Sequence, residues 1–126
     1  TELVRLRGAS AHNCRLCRSL RDVRALDAGG TEELYQADPS SYDERHQAAL
    51  RLVDAMVWAP HDVPKDVREH LTDAEVVEVV LDVMRNAGNK VAVALGADAA
   101  RVTDGVELYT VDATGEPVYS VGVTRE

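Results

Sequence analysis

Polar and apolar positions follow a helical period over most of the chain and a period of two only near its end. Residues 2–11 (E-L-V-R-L-R-G-A-S-A) read as the end of a helix. No N-cap precedes Glu2, as though an upstream helix were missing from the chain. Asn13 is placed as the N-cap of a helix running from Cys14 to about Ala28 and closed by Gly29-Gly30. Thr31 opens a short helix, T-E-E-L-Y-Q, that ends before Pro39. The capping box S-Y-D-E (Ser41, Glu44) predicts a helix to about Trp58, with Ala48, Leu52, Ala55 and Met56 on its apolar face and Ala49 and Val53 beside them.

The stretch A-P-H-D-V-P reads as a loop, with Pro64 as the first residue of a short helix to Leu71. A second capping box, T-D-A-E at 72–75, starts the longest predicted helix, to about Leu95, stopped by Gly96. Its near-continuous apolar character predicts a central position. From Val102 the pattern changes: V-E-L-Y-T-V, D-A-T-G-E and P-V-Y-S-V-G-V give two short strands around a turn. A lone hairpin is marginal in water, so it is expected to pack on the helices or on a second subunit. The expectation is an all-α helical domain over 1–100 with a C-terminal extension, 101–126, forming a β-hairpin tail.

Composition bounds the function. A length of 126 residues suits one domain. With 4% aromatic residues and no Phe, the core must be built from Val, Leu and Ala. The net charge of −8 argues against nucleic acid and anionic membrane as partners. No run of about 18 apolar residues spans a membrane, and T-E-L-V-R-L-R has no signal-peptide core. Cytoplasmic residence is the expectation.

Against this acidic background, residues 1–24 carry Arg5, Arg7, Arg15, Arg18, Arg21 and Arg24. The two cysteines of the chain, Cys14 and Cys17, lie among them in N-C-R-L-C-R-S-L-R. If Cys14 opens a helix, both thiols share one face, about one turn apart. The positive helix end and Arg18 and Arg21 then lower their pKa, which suits thiol–disulfide chemistry. Structural zinc needs two more ligands, and His12, His46, His61 and His70 are scattered without ligand spacing. Two buried cysteines that merely pack remain a third reading.

Three features together carry a resemblance: Glu2 twelve residues before the first cysteine, the C-x-x-C pair, and the segment N-A-G-N-K-V-A-V-A-L-G after an apolar helix. From about Glu2 to Gly96 the chain resembles the carboxymuconolactone decarboxylase family, and within it the alkylhydroperoxidase D-like branch. The resemblance implies an all-helical fold and a trimeric or hexameric homo-oligomer. It implies Cys17 as the thiol that attacks a hydroperoxide, Cys14 as the thiol that resolves the sulfenic acid to a disulfide, and Glu2 as the proton-relay carboxylate. A dithiol such as a lipoyl group or a thioredoxin-like protein would restore the reduced pair.

The chain departs from the branch at Arg21, where a His four residues after the second cysteine is expected. Imidazole exchanges a proton near neutral pH, whereas guanidinium stays protonated. Arg21 can hold a thiolate or orient a hydroperoxide, and the relay falls to Glu2, His12 or water. Restoring His at position 21 should raise peroxidase activity if proton relay limits the reaction. His12 reads equally as an exposed loop residue, and Glu2 as an i,i+3 partner of Arg5.

Elsewhere, Trp58, His61 and Asp62 either line a pocket or pack and solvate. Asn86 and Asn89 read as buried and structural, and Asp82 with Arg85 as an i,i+3 pair. No G-x-G-x-x-G after a strand and no phosphate loop point to a cofactor; neither a cofactor nor a metal is expected. The function read from the sequence is a thiol-dependent hydroperoxide reductase or disulfide oxidoreductase. The alternative is a non-catalytic oligomer that binds a ligand or partner. The family's decarboxylases lack the C-x-x-C pair, so lactone decarboxylation ranks lower.

Overall fold

The computed structural model describes residues 1–124. Three helices form the core: α1 (Glu2–Ala11), α5 (Glu44–Trp58) and α7 (Asp73–Ala87), each packed on the other two. Val4 of α1, Ala48, Leu52 and Val53 of α5, and Val79 and Val83 of α7 meet there. Val67 and Leu71, at the short helix α6 (Val67–His70), close one end. Burying a side chain of this size contributes about 1.5–3 kcal/mol. In a chain without Phe the core therefore rests on many medium-sized aliphatic contacts.

Local chemistry sets the helix ends. Thr72 and Glu75 form a reciprocal capping box at the start of α7, where the sequence places it. The start of α5 falls later than the S-Y-D-E pattern suggests. Asp38 captures the Ser40 amide and hydroxyl, turning Pro39–Ser41 into a 3₁₀ turn, and Asp43 caps α5 through the His46 amide. Ser41 is thereby spent on the Asp38 carbonyl. Thr31 caps α4 (Glu32–Gln36) as expected.

The all-α expectation is overturned by a mixed three-stranded sheet. The single helix foreseen over Cys14–Ala28 is instead a one-turn helix α2 (Arg15–Arg18), a strand β1 (Leu20–Asp22) and a short helix α3 (Val23–Asp27). Asn13 takes φ +52°, so it ends the preceding turn, and Cys14, with extended backbone, becomes the N-cap of α2. Ser19 stops α2 by turning its hydroxyl onto the Leu16 carbonyl. Asp22, also extended, caps α3 through the Arg24 amide. Polar side chains that bond their own backbone compete with helix propagation.

The freed segment pairs in parallel with β2 (Val106–Val111), Leu20 opposite Glu107 and Asp22 opposite Tyr109. β2 pairs antiparallel with β3 (Pro117–Thr124), with an irregularity between Leu108 and Thr110. The hairpin foreseen in 101–126 is present, and its first strand is bonded to the cysteine segment.

The helix foreseen from 72 to Leu95 is interrupted at Gly88, giving α7 and α8 (Asn89–Ala94). Gly88 keeps helical dihedrals (φ −59°, ψ −30°), so the chain direction continues through it. Nor is this helix enclosed on all sides. It buries Val79, Asp82 and Val83 and leaves Val77, Leu81 and Met84 exposed.

Candidate functional site

Cys14 and Cys17 are joined as a disulfide across α2, with Cα atoms 5.3 Å apart. Their environments differ. Cys14 is 1% exposed and packs with Ala9, Leu16 and Val93. Its sulfur accepts the Cys17 amide at 3.2 Å, a free N–H of the first helical turn. Cys17 is 7% exposed and lies on the wall of a cleft of about 700 Å³. Its sulfur accepts the side-chain amide of Asn89, also at 3.2 Å. The Gly88 interruption sets Asn89 at the start of α8, from which it reaches α2.

Two ion pairs fasten the segment around the disulfide. Asp98, buried in the loop after α8, accepts the Arg15 amide at 2.9 Å and its guanidinium at 2.8 Å, and its carbonyl accepts the Leu16 amide. These Arg15 donors push the Asp98 carboxyl down to about 2. On the other side, Arg5 binds both Glu2 oxygens at 2.7 Å and donates to the carbonyls of Cys17 at 2.8 Å and Leu20 at 2.7 Å. Glu2 is buried and also accepts the Asp22 amide at 3.3 Å. It therefore sits one side chain away from the Cys17 backbone, with Arg5 between them.

The cleft brings together Glu2, Arg5, Cys17, Asp82, Asn86, Asn89 and, from the hairpin, Tyr109 and Tyr119. Asp82 is buried, and burial raises its carboxyl pKa although Arg85 lies 3.7 Å away. Asn86 donates to the Asp82 carbonyl at 2.9 Å. Asn86 thus bonds within its own helix, whereas Asn89 faces the sulfur.

Arg21 lies elsewhere. Side chains alternate along a strand: Leu20 and Asp22 of β1 line the cleft and Arg21 points to the opposite face. There it pairs with Glu32, donates to the Arg18 and Leu20 carbonyls at 2.7 and 2.8 Å, and lies over the Tyr35 ring. His12 caps the end of α1 outside the cleft lining. Its Nε2 is buried without a hydrogen-bond partner among the described residues, and burial, then Lys90, lowers its pKa. Trp58, at 68% exposure, is also outside the cleft.

Of the five residues singled out from the sequence, Cys14, Cys17 and Glu2 are thus gathered around α2, whereas Arg21 is turned to the opposite face and His12 lies outside the cleft lining. The i,i+3 pair of Glu2 with Arg5 was read from the sequence and is present. Sequence reasoning missed the bonds of Arg5 to the Cys17 and Leu20 carbonyls, Asp98, the contact of Asn89 with sulfur, and the tyrosine wall. The N-A-G-N segment was the available signal for Asn89: a glycine in a helix, followed by a polar residue. Among the described residues no group of three or more His, Cys, Asp or Glu side chains could hold a metal ion. No helix of the described residues is long and apolar enough to cross a membrane.

No family model matches the chain, and no solved structure matches it. Two proteins of Mycobacterium tuberculosis are similar to it. They are Uncharacterized protein Rv2313c of strain H37Rv and Uncharacterized protein MT2376 of strain CDC 1551. Each is 53% identical over 128 residues, covering 94% of this chain and 45% of its own length. The chain therefore spans less than half the length of these relatives.

Proposed function

We propose that Cys14 and Cys17 form a redox-active pair that reduces hydroperoxides or exchanges disulfides, with Cys17 as the reacting sulfur. The observation that carries this reading is the contact between Asn89 and Cys17 in the wall of an open cleft. An N–H donor aimed at sulfur stabilises a thiolate, and only the sulfur in the cleft is reachable from it.

In the reduced protein the Cys17 thiolate attacks the O–O bond of a hydroperoxide. The distal oxygen becomes Cys17–SOH, and the alkoxide leaves and takes a proton to become an alcohol. That proton comes from solvent, which reaches Cys17 through the open cleft. The Cys14 thiol then attacks the Cys17 sulfur, forming the disulfide and releasing water. A lipoyl or thioredoxin-like dithiol returns two electrons and two protons. The net change is one hydroperoxide and one external dithiol converted to alcohol, water and an external disulfide. Arg21, held by Glu32, has no part in these steps. Such cycling suits the cytoplasm, where external thiols are kept reduced.

A second reading, a structural bridge that closes the one-turn helix α2, is favoured by the near-complete burial of Cys14. Consumption of cumene hydroperoxide with dihydrolipoamide as reductant separates the two. Turnover that is lost in Cys17→Ser supports redox chemistry. A disulfide that the dithiol cannot reduce in the folded protein, with no hydroperoxide consumed, defeats it.

A further inference from the structure

Helix α7 carries two apolar faces. Val79 and Val83 face the core, while Val77, Leu81 and Met84 are exposed, and Val91 and Leu95 continue the exposed set beyond Gly88. At about 100° per residue, the exposed set falls in one stripe roughly opposite the buried one. Its spacing is 77, 81, 84, 88, 91, 95, alternating four and three, with Gly88 filling one position. That is the heptad seam by which one helix packs against another. Gly88, the cap shared by α7 and α8, keeps helical dihedrals, and the stripe is borne chiefly by Val77, Leu81 and Met84 of α7.

We infer that this seam is the contact for a second copy of the same chain, packed antiparallel about a twofold axis between Leu81 and Met84. Two properties of the residues select a copy of this chain over an unrelated helix. The first is charge. One flank of the stripe carries Glu78 and Arg85, seven residues apart and both exposed. A twofold axis at that point sets Glu78 of each copy against Arg85 of the other, so the flank is its own complement. The second is size. The same axis stacks Leu81 on Met84, Val77 on Gly88 and Val91 on Ala74, so that a larger side chain faces a smaller one away from the axis.

The seam also borders the cysteine cleft. Glu78, Leu81 and Arg85 belong to both, so the contact brings the rims of the two clefts together and completes each with the other copy's Arg85. The assignment stands whether or not the disulfide is redox-active.

Charge exchange tests it. Glu78→Arg puts like charges against each other twice across the axis, and so does Arg85→Glu. Mixing the two variants restores both attractive pairs. Sedimentation velocity across a concentration series, with circular dichroism to confirm the fold, should show a wild-type dimer, two weakened single variants, and a dimer recovered on mixing. Met84→Lys, in the centre of the seam, should give a monomer with an unchanged spectrum. A wild-type monomer overturns the assignment, as does a trimer, which has no twofold contact. So do single variants that dimerise as well as wild type, or a mixture that gains nothing over its components.

Discussion

The side-chain amide of Asn89 donates to the sulfur of Cys17 at 3.2 Å, joining α8 to α2 across 72 positions of sequence. A hydrogen bond to a charged acceptor contributes roughly 1.5–3 kcal/mol, and one pKa unit is about 1.36 kcal/mol. Sulfur is a weak acceptor, which favours the lower end. Asn89→Ala should therefore raise the pKa of the reduced Cys17 thiol by about one unit. The pH dependence of iodoacetamide labelling reads this directly. Asn89→Asp, which replaces the donor with a negative charge, should raise it further.

Arg5 holds the Cys17 and Leu20 carbonyls and neutralises the buried carboxylate of Glu2. Removing one member of a buried pair costs about 3–5 kcal/mol, because the other charge is left without its partner. Arg5→Met should lose stability of that order in urea denaturation. Glu2→Gln combined with Arg5→Met should lose less than Arg5→Met alone, since no uncompensated charge remains.

Asp82 and Asp98 should give opposite pH signatures. Burial raises the Asp82 pKa in the folded state, so folding binds protons and stability falls as pH rises from about 3.8 through the folded value. Asp82→Asn removes that loss: its melting temperature should exceed wild type at neutral pH, with the gain shrinking toward pH 3.8. Asp98 is pushed down to about 2, so its contribution is present above the unfolded value and fades as pH falls toward 2. Asp98→Ala should melt below wild type at neutral pH and converge with it in acid.

Arg21→His tests the departure from the alkylhydroperoxidase D-like pattern. The sequence alone suggests that a histidine here would restore a proton relay. In the structure the side chain points away from the cleft and is held by Glu32 and two backbone carbonyls. The substitution should leave the hydroperoxide rate unchanged per folded molecule and lower the melting temperature by removing those bonds.

What the sequence made legible was local. The Thr72–Glu75 box, the Thr31 cap and the apolar face of α5 are written within a few residues, and each appears in the structure where it is read. β1 was hidden because its partner, β2, lies more than eighty residues away and its three residues carry no alternation long enough to notice. Separations of 72 and 83 positions likewise hid the contact of Asn89 with Cys17 and the anchoring of Arg15 by Asp98. Arg21 misled for a related reason. On the expected helix it would share a face with the cysteines, whereas strand geometry turns it to the other side of the sheet. The Val-rich stretch from Thr72 announced a helix but not its two apolar faces, because both are apolar and the pattern alone does not say which one is buried.

The most direct test is chemical trapping in Cys14→Ser. Without a resolving thiol, the sulfenic acid formed by one equivalent of cumene hydroperoxide should persist on Cys17 and be captured by dimedone, as read by peptide mass spectrometry. Dimedone on Cys17 is the expected result. Absence of any adduct in a folded Cys14→Ser protein, with the hydroperoxide left unconsumed, would contradict the role assigned to the pair.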